Sequence, residues 1–369
     1  MFNGAIFVLF DEENRAERQN NDLRTMRRVL RDNCNPLELP EATFKKYYRI
    51  NKPMFVYLLD ILKTSFAEQK KSFGIPPIVK LSACLRFFAE GGYQKGVGND
   101  HVVGLAQSSF SEVLKDVLNI LEDKLCSSWI NMDMTPEEKR NTAIQFYEKH
   151  RIPGVIGCID GTHIRIIAPT LNKHLFYNRK GFFSLNVLLV CDADMRIRFV
   201  DASHPGATHD AFIWRVSELR SWLEQKYLNG ERNSWLLGDA GYPLEPWLLT
   251  PHRNPEDGTS QSRFNLKHKQ CRNIIERVNG VLKNRWRCLL GARELHYQPD
   301  KAVQITNVCC ALHNICIHFN ADFNPMDLPR TSIHESNADT EELENEMPPD
   351  NSEYMTVSQN IRTQIGESI

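Results

Sequence analysis

The chain has 369 residues, of which 41% are hydrophobic and 25% charged, so it is long and apolar enough to bury more than one core. No stretch approaches the roughly 18 uncharged apolar residues that a transmembrane helix needs, so the pattern excludes a helical membrane protein. The ten cysteines show no paired spacing, and in a chain of this size free thiols in a reducing compartment are expected rather than disulfides.

The net charge of −1 hides an uneven distribution of charge along the chain. Residues 320–369 contain eleven acidic and two basic residues, and they are rich in Asn, Ser and Pro. This composition predicts an acidic, disordered tail. Residues 1–319 contain 43 basic and 35 acidic residues. Such an excess suits a protein that binds phosphate backbones, but it is also common on proteins that touch no nucleic acid.

Residues 1–150 have the pattern of an all-helical N-terminal domain, because apolar residues recur there at spacings of three and four. Within this domain, residues 99–121 resemble a helix-turn-helix, and Ser109 with Glu112 would form a capping box for its second helix. That helix places Lys115 between Glu112 and Asp116, a charge balance that does not favour DNA phosphates. The motif is therefore predicted as a structural element rather than as a specific DNA reader.

From residue 151 the pattern changes to that of an α/β domain, predicted over residues 151–319. Short runs of β-branched and aliphatic residues bounded by Gly, Asp, Asn or Pro are typical of buried strands. They cover residues 155–159, 185–190, 197–200 and 235–237, and helical spacing covers residues 210–225, 267–287 and 299–319. Three strands, a helix, a further strand and terminal helices predict a sheet covered by helices.

Two acidic residues follow predicted strands in the same way. Asp160 comes directly after the apolar run 155–159 and precedes Gly161, and Asp239 follows the run 235–237 and Gly238. Two buried strands would each end by presenting a carboxylate at one edge of the sheet. Because buried carboxylates are costly unless they are paired or bound to a metal ion, the repetition indicates a shared site. The alternative is that each aspartate only begins a turn.

A third acid, Glu276, is isolated within a basic helical segment. Between residues 258 and 287 it is the only acid among eight basic residues. On a helix, Arg272, Glu276, Lys283 and Arg287 share one face, beside an apolar stripe that would pack on the sheet. This pattern predicts a metal ligand flanked by DNA backbone contacts from Arg272, Lys283 and Arg287. The alternative is a solvated face with weak ion pairs.

Three carboxylates of this kind suit divalent-metal chemistry. Hard oxygen ligands favour Mg²⁺ or Mn²⁺. Two such ions about 3.5 to 4 Å apart can activate a water or a 3′-hydroxyl and stabilise the departing oxygen of a phosphodiester. We therefore predict Asp160, Asp239 and Glu276 as catalytic ligands of two divalent ions, with no need for a general-base histidine.

Six separated segments carry a family resemblance. They are GVIGCIDGTHIRI, YNRKGFFSLNVLLVCD, GATHDAFIW, WLLGDAGYP, IIERVNGVLKNRW and CCALHNI, in this order. From about residue 154 to residue 318 they resemble the DDE nuclease domain of PIF/Harbinger transposases, and most of all the Harbinger transposase-derived nucleases. The resemblance implies an RNase H-like mixed sheet in which Asp160, Asp239 and Glu276 match the catalytic triad.

The same resemblance implies DNA as the substrate and a separate Myb/SANT-like protein as a DNA-binding partner. It also implies a nuclear location, and a further cytoplasmic location is left open, as is a homo-oligomer. No membrane partner is expected.

Five other residues in these segments are candidates for the site. Asp210 is either a fourth acid of the metal site or substrate contact, or a cap of the helix that follows, and His209 stands beside it. His163 is either near the scissile phosphate or held in a local hydrogen bond, with more weight on the second. Arg179 and Lys180, in a turn between predicted strands, suit phosphate contacts but are equally explained as solvated.

Cys309, His313 and Cys316 lie at helical spacing in the last predicted helix. Zinc uses these residue types, but ligands crowded onto one helix cannot close a tetrahedral site without another element. We therefore favour a packed helix with buried thiols.

The leading hypothesis is a metal-dependent DNA endonuclease of the transposase-derived type. The second hypothesis is a domesticated DNA-binding or scaffold protein that keeps the fold without cutting. The third is the transposase of an active element, which uses the same chemistry for strand transfer. The intact set of three acids favours the endonuclease and the transposase over the protein that does not cut.

Overall fold

The computed structural model describes residues 35–68, 74–91, 105–291, 294–321 and 352–369, and a few helical residues between 21 and 29. The chain divides into two compact units, Met1–Leu121 and Glu122–Ile369. This division falls earlier than the boundary predicted at residue 150. Met132 and Met134 account for part of the difference, since both are buried in the hydrophobic core of the second unit.

The first unit is helical throughout its described secondary structure. A 3₁₀ turn, Pro36–Glu38, precedes helices α1 (Glu41–Tyr48), α2 (Lys52–Glu68), α3 (Pro77–Glu90) and α4 (Gln107–Leu121). Aromatic rings hold its core: Phe44 and Phe55 lie 5.5 Å apart, and Phe87 and Phe110 lie 5.8 Å apart. The second helix of the predicted helix-turn-helix corresponds to α4. Residues 92–104 lie outside the described residues, so the motif as a whole stays a prediction.

The second unit is built on a five-stranded mixed sheet. Its strands are β1 (Val155–Arg165), β2 (Ser184–Cys191), β3 (Ile197–Pro205), β4 (Trp235–Leu237) and β5 (Leu248–Leu249), in the spatial order β3-β2-β1-β4-β5. β2 pairs antiparallel with β1 and β3, whereas β4 pairs parallel with β1 and β5. The predicted α/β sheet and its four predicted strands are confirmed, and the mixed order is consistent with a DDE endonuclease fold.

Helices cover this sheet. They are α5 (Ser127–Trp129), α6 (Pro136–His150), α7 (Lys173–Phe176), α8 (Asp210–Val216), α9 (Glu218–Leu228), α10 (Ser260–Arg285), α11 (Pro299–His318) and α12 (Ser352–Ser368). α6 and α10 pack against β1, and α11 packs against β3. The helix predicted over 210–225 is two helices, because Ser217 ends α8 and its hydroxyl caps α9 by accepting a hydrogen bond from Arg220 N. None of the described helices combines the length and apolar character needed to cross a bilayer.

The prediction of disorder for residues 320–369 is wrong for the end of this segment, which forms α12. This helix packs against α10. The ring of Tyr354 lies 5.2 Å from that of Trp247, Ile365 is buried, and Arg362 donates hydrogen bonds to the carbonyl oxygens of Thr250 and Pro251. Most of the acidic residues lie before residue 352, so a composition taken over the whole segment hid a short amphipathic helix.

The cysteines and histidine considered for zinc lie in the core. Cys309, His313 and Cys316 of α11 are all buried, and His313 Nε2 lies 2.9 Å from the carbonyl oxygen of Met195. Cys309 Sγ lies 3.9 Å from Cys288 Sγ, and the cysteines of the described residues are all free thiols. These contacts support the interpretation of a packed helix with buried thiols.

The burial of His313 predicts a loss of stability in acid. Burial lowers the pKa of His313 to about 4, whereas an unfolded histidine titrates near 6.5. Below about pH 6.5 the unfolded chain therefore binds a proton that the folded chain refuses. Stability is unaffected by this group above that pH and falls as the pH drops from 6.5 towards 4, by about 2 kcal/mol at pH 5.

Urea unfolding between pH 7.5 and pH 5 measures this effect. His313→Gln should lower the slope of the free energy of unfolding against pH by about 1.4 kcal/mol per pH unit. This decrease corresponds to one proton fewer taken up on unfolding. The matched control is His174→Gln, at an exposed position of α7, which should leave the slope unchanged. An unaltered slope in His313→Gln would show that His313 has the same pKa in the folded and unfolded chain, and would contradict the prediction.

Candidate active site

Asp160 and Asp239 lie at the same level of the sheet. The parallel pairing of β1 with β4 places Cys158 opposite Leu237, and each aspartate follows two residues later. The sequence pattern predicted that Asp160 ends its strand, and this prediction is wrong. β1 continues to Arg165, with Asp160 opposite Leu189 of β2. The strand is longer because pairing with β2 sets its length, and a local apolar run does not reveal that pairing.

The helix α10 places one face directly on Asp160. Arg272 Nη2 donates a hydrogen bond to Asp160 Oδ1 at 2.9 Å, and Asn279 Nδ2 donates one to Oδ2 at 3.0 Å. Glu276 lies between these two residues on the helix and is exposed. The sequence pattern predicts Arg272 as a DNA backbone contact or as an ion pair of Glu276. In the structure it instead forms a salt bridge with Asp160, and its side chain is only 12% exposed.

The carboxyl groups of the site act on one another electrostatically. Burial raises the pKa of Asp160 to about 7, and the guanidinium of Arg272 opposes this rise. The nearby carboxylates of Asp239, Asp210 and Glu276 raise the same pKa further. Acids from β1, α8, α10 and the turn after β4 are thus gathered in one region. Such a concentration of like charge costs free energy unless a proton or a cation compensates it, and it is typical of functional sites.

Asp210 lies against the backbone of β1. A Cβ atom at Gly161 would come within 2.4 Å of Asp210 Oδ1, so only glycine leaves room for this carboxylate. Asn186 Nδ2 fixes it further by donating a hydrogen bond to Asp210 Oδ1 at 2.7 Å. The helix α8 has His209 as its N-cap, with no side-chain cap. These contacts favour Asp210 as a fourth acid of the site over its interpretation as a helix cap.

Two polar residues of the site, Asn186 and Tyr242, were not predicted, and Asn279 was predicted only to share the helix face of Glu276. Asn186 Oδ1, Tyr242 Oη and Asn279 Oδ1 are buried and find no hydrogen-bond partner among the described residues. Burial raises the pKa of Tyr242, and the carboxylates of Asp210 and Asp160 raise it further, so its ring lies near the acids. Buried atoms of this kind usually bind a water or an ion. A polar residue inside the apolar run of β2 was the one available signal for Asn186.

The other predicted residues of β1 and α10 lie beside this region. Lys283 Nζ donates a hydrogen bond to the carbonyl oxygen of His163 at 2.9 Å, which places its positive charge next to β1. His163 Nδ1 lies 3.1 Å from Ser184 Oγ, and this contact supports its predicted role in local hydrogen bonding. Arg287 is half-buried in the 3₁₀ turn Arg287–Leu289 after α10.

Arg179 and Lys180 lie in a tight turn before β2, and both side chains are exposed. Arg179 contacts His209 Nδ1, the residue before Asp210. The two basic side chains are therefore available to a ligand, and Arg179 lies next to the acids.

The acidic residues of the site are of the types that bind divalent ions, but their side chains are not arranged as the coordination sphere of such an ion. Aspartate and glutamate oxygens are the ligands that Mg²⁺ and Mn²⁺ prefer. However, both oxygens of Asp160 accept hydrogen bonds from Arg272 and Asn279. Within the described part of the chain, no three His, Cys, Asp or Glu side chains are grouped closely enough to hold a metal ion. The predicted sharing of ions by Asp160, Asp239 and Glu276 is therefore not met in this arrangement.

Comparison with known proteins defines the class to which this fold and site belong. Residues 159–314, which include all three predicted catalytic acids, match the family model of the DDE superfamily endonucleases. No solved structure matches the chain significantly.

Individual relatives narrow this class to a family. The protein named "Putative nuclease HARBI1" from Xenopus laevis is 33% identical over 277 residues, covering 74% of this chain and 78% of the relative. The human protein of that name is 31% identical over 296 residues, covering 78% and 83%. Protein ALP1-like from Arabidopsis thaliana is 27% identical over 317 residues, covering 80% and 75%. The chain belongs to the family of Harbinger transposase-derived nucleases.

Proposed function

We propose that this protein is a metal-dependent endonuclease that cleaves phosphodiester bonds of DNA. The observation that carries the proposal is the gathering of acids around Asp160, at the level where β1 and β4 stop pairing. Family membership adds the expectation that such a site cuts DNA. Asp160, Asp239 and Glu276 are proposed as ligands of two divalent ions, with Asp210 as a fourth acid.

The charges of the residues suggest their proposed roles, with acids holding metal ions and bases holding DNA phosphates. Bound Mg²⁺ or Mn²⁺ would polarise the attacking and departing oxygens of the phosphodiester. Asp160 lies within β1 opposite Leu189 of β2 and is the most buried of the four acids, so it would anchor the ion site. Lys283 and Arg287 would bind backbone phosphates on either side of the cleaved bond. Arg272 could join them after leaving Asp160.

The direct test uses the purified full chain and supercoiled plasmid. Nicked circles should accumulate with Mg²⁺ or Mn²⁺ and should not accumulate with a chelator in excess. If no ion supports nicking by a folded, DNA-binding preparation, the protein is not a nuclease of this kind.

A DNA-binding protein that does not cut is the second candidate, and the Arg272–Asp160 salt bridge favours it. A protein of this kind has no need to bind ions through its acids. Calorimetric titration with Mn²⁺ separates the two, because a nuclease should bind the ion and should lose that binding in Asp160→Asn. A transposase with strand transfer would share the nuclease result and would also join cut ends to a target. A nuclear location with a cytoplasmic pool, a Myb/SANT-like partner and a homo-oligomer remain further proposals.

Lys283 is expected to contribute to DNA affinity through the phosphate backbone. Lys283→Ala should weaken binding of any duplex about five- to tenfold and lower the slope of log K against log salt by about one. Fluorescence anisotropy at several salt concentrations measures both quantities. Arg277→Ala is the matched control, because Arg277 is an exposed base of the same helix on a different face. Equal effects of the two substitutions would contradict a specific role for Lys283.

A further inference from the structure

The turn between Tyr177 and Phe183 is a rigid hairpin tip close to the acids. Tyr177 and Phe183 form an antiparallel bridge. Asn178 N donates a hydrogen bond to the carbonyl oxygen of Phe182, and Gly181 N donates one to that of Asn178, both at 3.0 Å. Gly181 has a φ of 80°, which the turn needs and glycine adopts without strain. The backbone of the tip is therefore fixed before any ligand binds.

A buried asparagine ties this tip to the sheet. Asn178 is 4% exposed, and its Oδ1 accepts hydrogen bonds from the backbone nitrogens of Lys180 and Phe182. Its Nδ2 donates to Ser184 Oγ at 2.8 Å, and the same hydroxyl meets His163 Nδ1. Because Ser184 begins β2 and His163 belongs to β1, these hydrogen bonds fix the turn to two strands of the sheet.

The side chains that this tip exposes are aromatic and basic. Tyr177 is 50% exposed, and its ring makes an edge-type contact with that of Phe183 at a centroid distance of 5.1 Å. Arg179 and Lys180 are exposed beside it. The sequence from residue 161 to residue 191 contains no acidic residue at all. An exposed ring beside two basic side chains offers one ligand both an apolar surface and positive charge.

The tip lies next to the acidic region of the candidate active site. Arg179 contacts His209, which directly precedes Asp210 of the acidic region. We propose that Tyr177 stacks on an unpaired base of DNA bound at the candidate active site, while Arg179 and Lys180 hold the adjoining phosphates. The charge of the tip favours a polyanion, and a half-exposed ring offers the flat apolar surface on which any base can stack. This inference rests on the proposed function and specifies its substrate as DNA with an unpaired base.

Binding without catalysis tests the inference. The full chain is titrated, in the presence of a chelator, into a matched duplex and into the same duplex carrying one unpaired 2-aminopurine. Anisotropy gives the affinities, and the fluorescence of 2-aminopurine reports stacking. The parent should bind the unpaired probe roughly tenfold more tightly than the matched duplex and should quench its fluorescence. Tyr177→Ala should remove both the preference and the quenching while leaving affinity for the matched duplex unchanged.

Two further variants control for folding and for charge. Tyr177→Phe keeps the ring and should keep the preference, and Tyr147→Ala removes a tyrosine of similar exposure, 45%, from α6 and should change nothing. Arg179→Ala with Lys180→Ala should weaken both probes alike. The inference is overturned if the parent shows no preference for the unpaired probe, or if Tyr177→Ala retains it. Because the binding assay contains a chelator, a protein that binds DNA without cutting it can still show the preference for the unpaired probe. Absence of that preference is therefore a different result from absence of plasmid nicking.

Discussion

Asp160→Asn is expected to abolish nicking of plasmid DNA, with a loss of more than about 100-fold in rate. Loss of a residue that only orients a metal ligand costs about 10- to 100-fold, and loss of the ligand itself should cost more. Asn preserves the shape of the side chain and one acceptor, but it removes the negative charge on which both Arg272 and a divalent ion depend. Rates of conversion of supercoiled to nicked circles measure the effect.

The control for this substitution is Asp257→Asn. Asp257 is an exposed aspartate in the turn before α10, and its replacement should leave the rate unchanged. The thermal unfolding of Asp160→Asn should remain a single cooperative transition, which would separate loss of chemistry from loss of fold. Asp239→Asn and Glu276→Gln should behave like Asp160→Asn. An Asp160→Asn protein that nicks DNA as fast as the parent would refute the proposed site.

Trp214→Ala should lower the free energy of unfolding by about 3 to 5 kcal/mol. Trp214 is fully buried in the core of the second unit, and its Nε1 donates a hydrogen bond to Glu245 Oε2 at 2.9 Å. The substitution leaves a cavity and removes a donor from a carboxylate that is only 7% exposed. Urea unfolding followed by the remaining tryptophan fluorescence measures the change.

Two substitutions divide this effect into its parts. Trp214→Phe keeps most of the volume but loses the hydrogen bond, and should cost about 1 to 3 kcal/mol. Phe212→Ala, at a half-exposed position of the same helix α8, should cost about 0.5 kcal/mol or less. Equal stability of Trp214→Ala and Phe212→Ala would mean that Trp214 does not organise the core.

Local pattern was sufficient to predict four of the five strands and the main helix of the second unit, but not the two-residue strand β5. The runs that became β1, β2, β3 and β4 are short, apolar and bounded by turn-forming residues. The stripe of Ile275, Val278 and Leu282 on α10 is buried as its spacing predicted. The placement of Asp160 and Asp239 near one another in the sheet was predicted by the same reasoning, because Asp160 stands directly after an apolar run and Asp239 follows another after one glycine.

Long-range partners could not be read from the sequence in this way. Arg272 is 112 residues from Asp160, so no local spacing shows that the two form a salt bridge. The same holds for β1, whose extension past Asp160 depends on β2. Tyr242 stands between Gly241 and Pro243, and only the folded chain buries its hydroxyl near the acids. In α12, a long acidic stretch preceding the helix masked its apolar spacing.

The salt bridge between Arg272 and Asp160 gives the chain an internal counter-ion. The most buried carboxylate of the site is thus compensated by a positive charge from the protein itself. An ion held by Asp160 would replace the guanidinium group of Arg272, so the total charge near Asp160 would change less than the charge of the ion suggests. The apparent affinity for such an ion would equal its intrinsic affinity reduced by the strength of the salt bridge that it replaces.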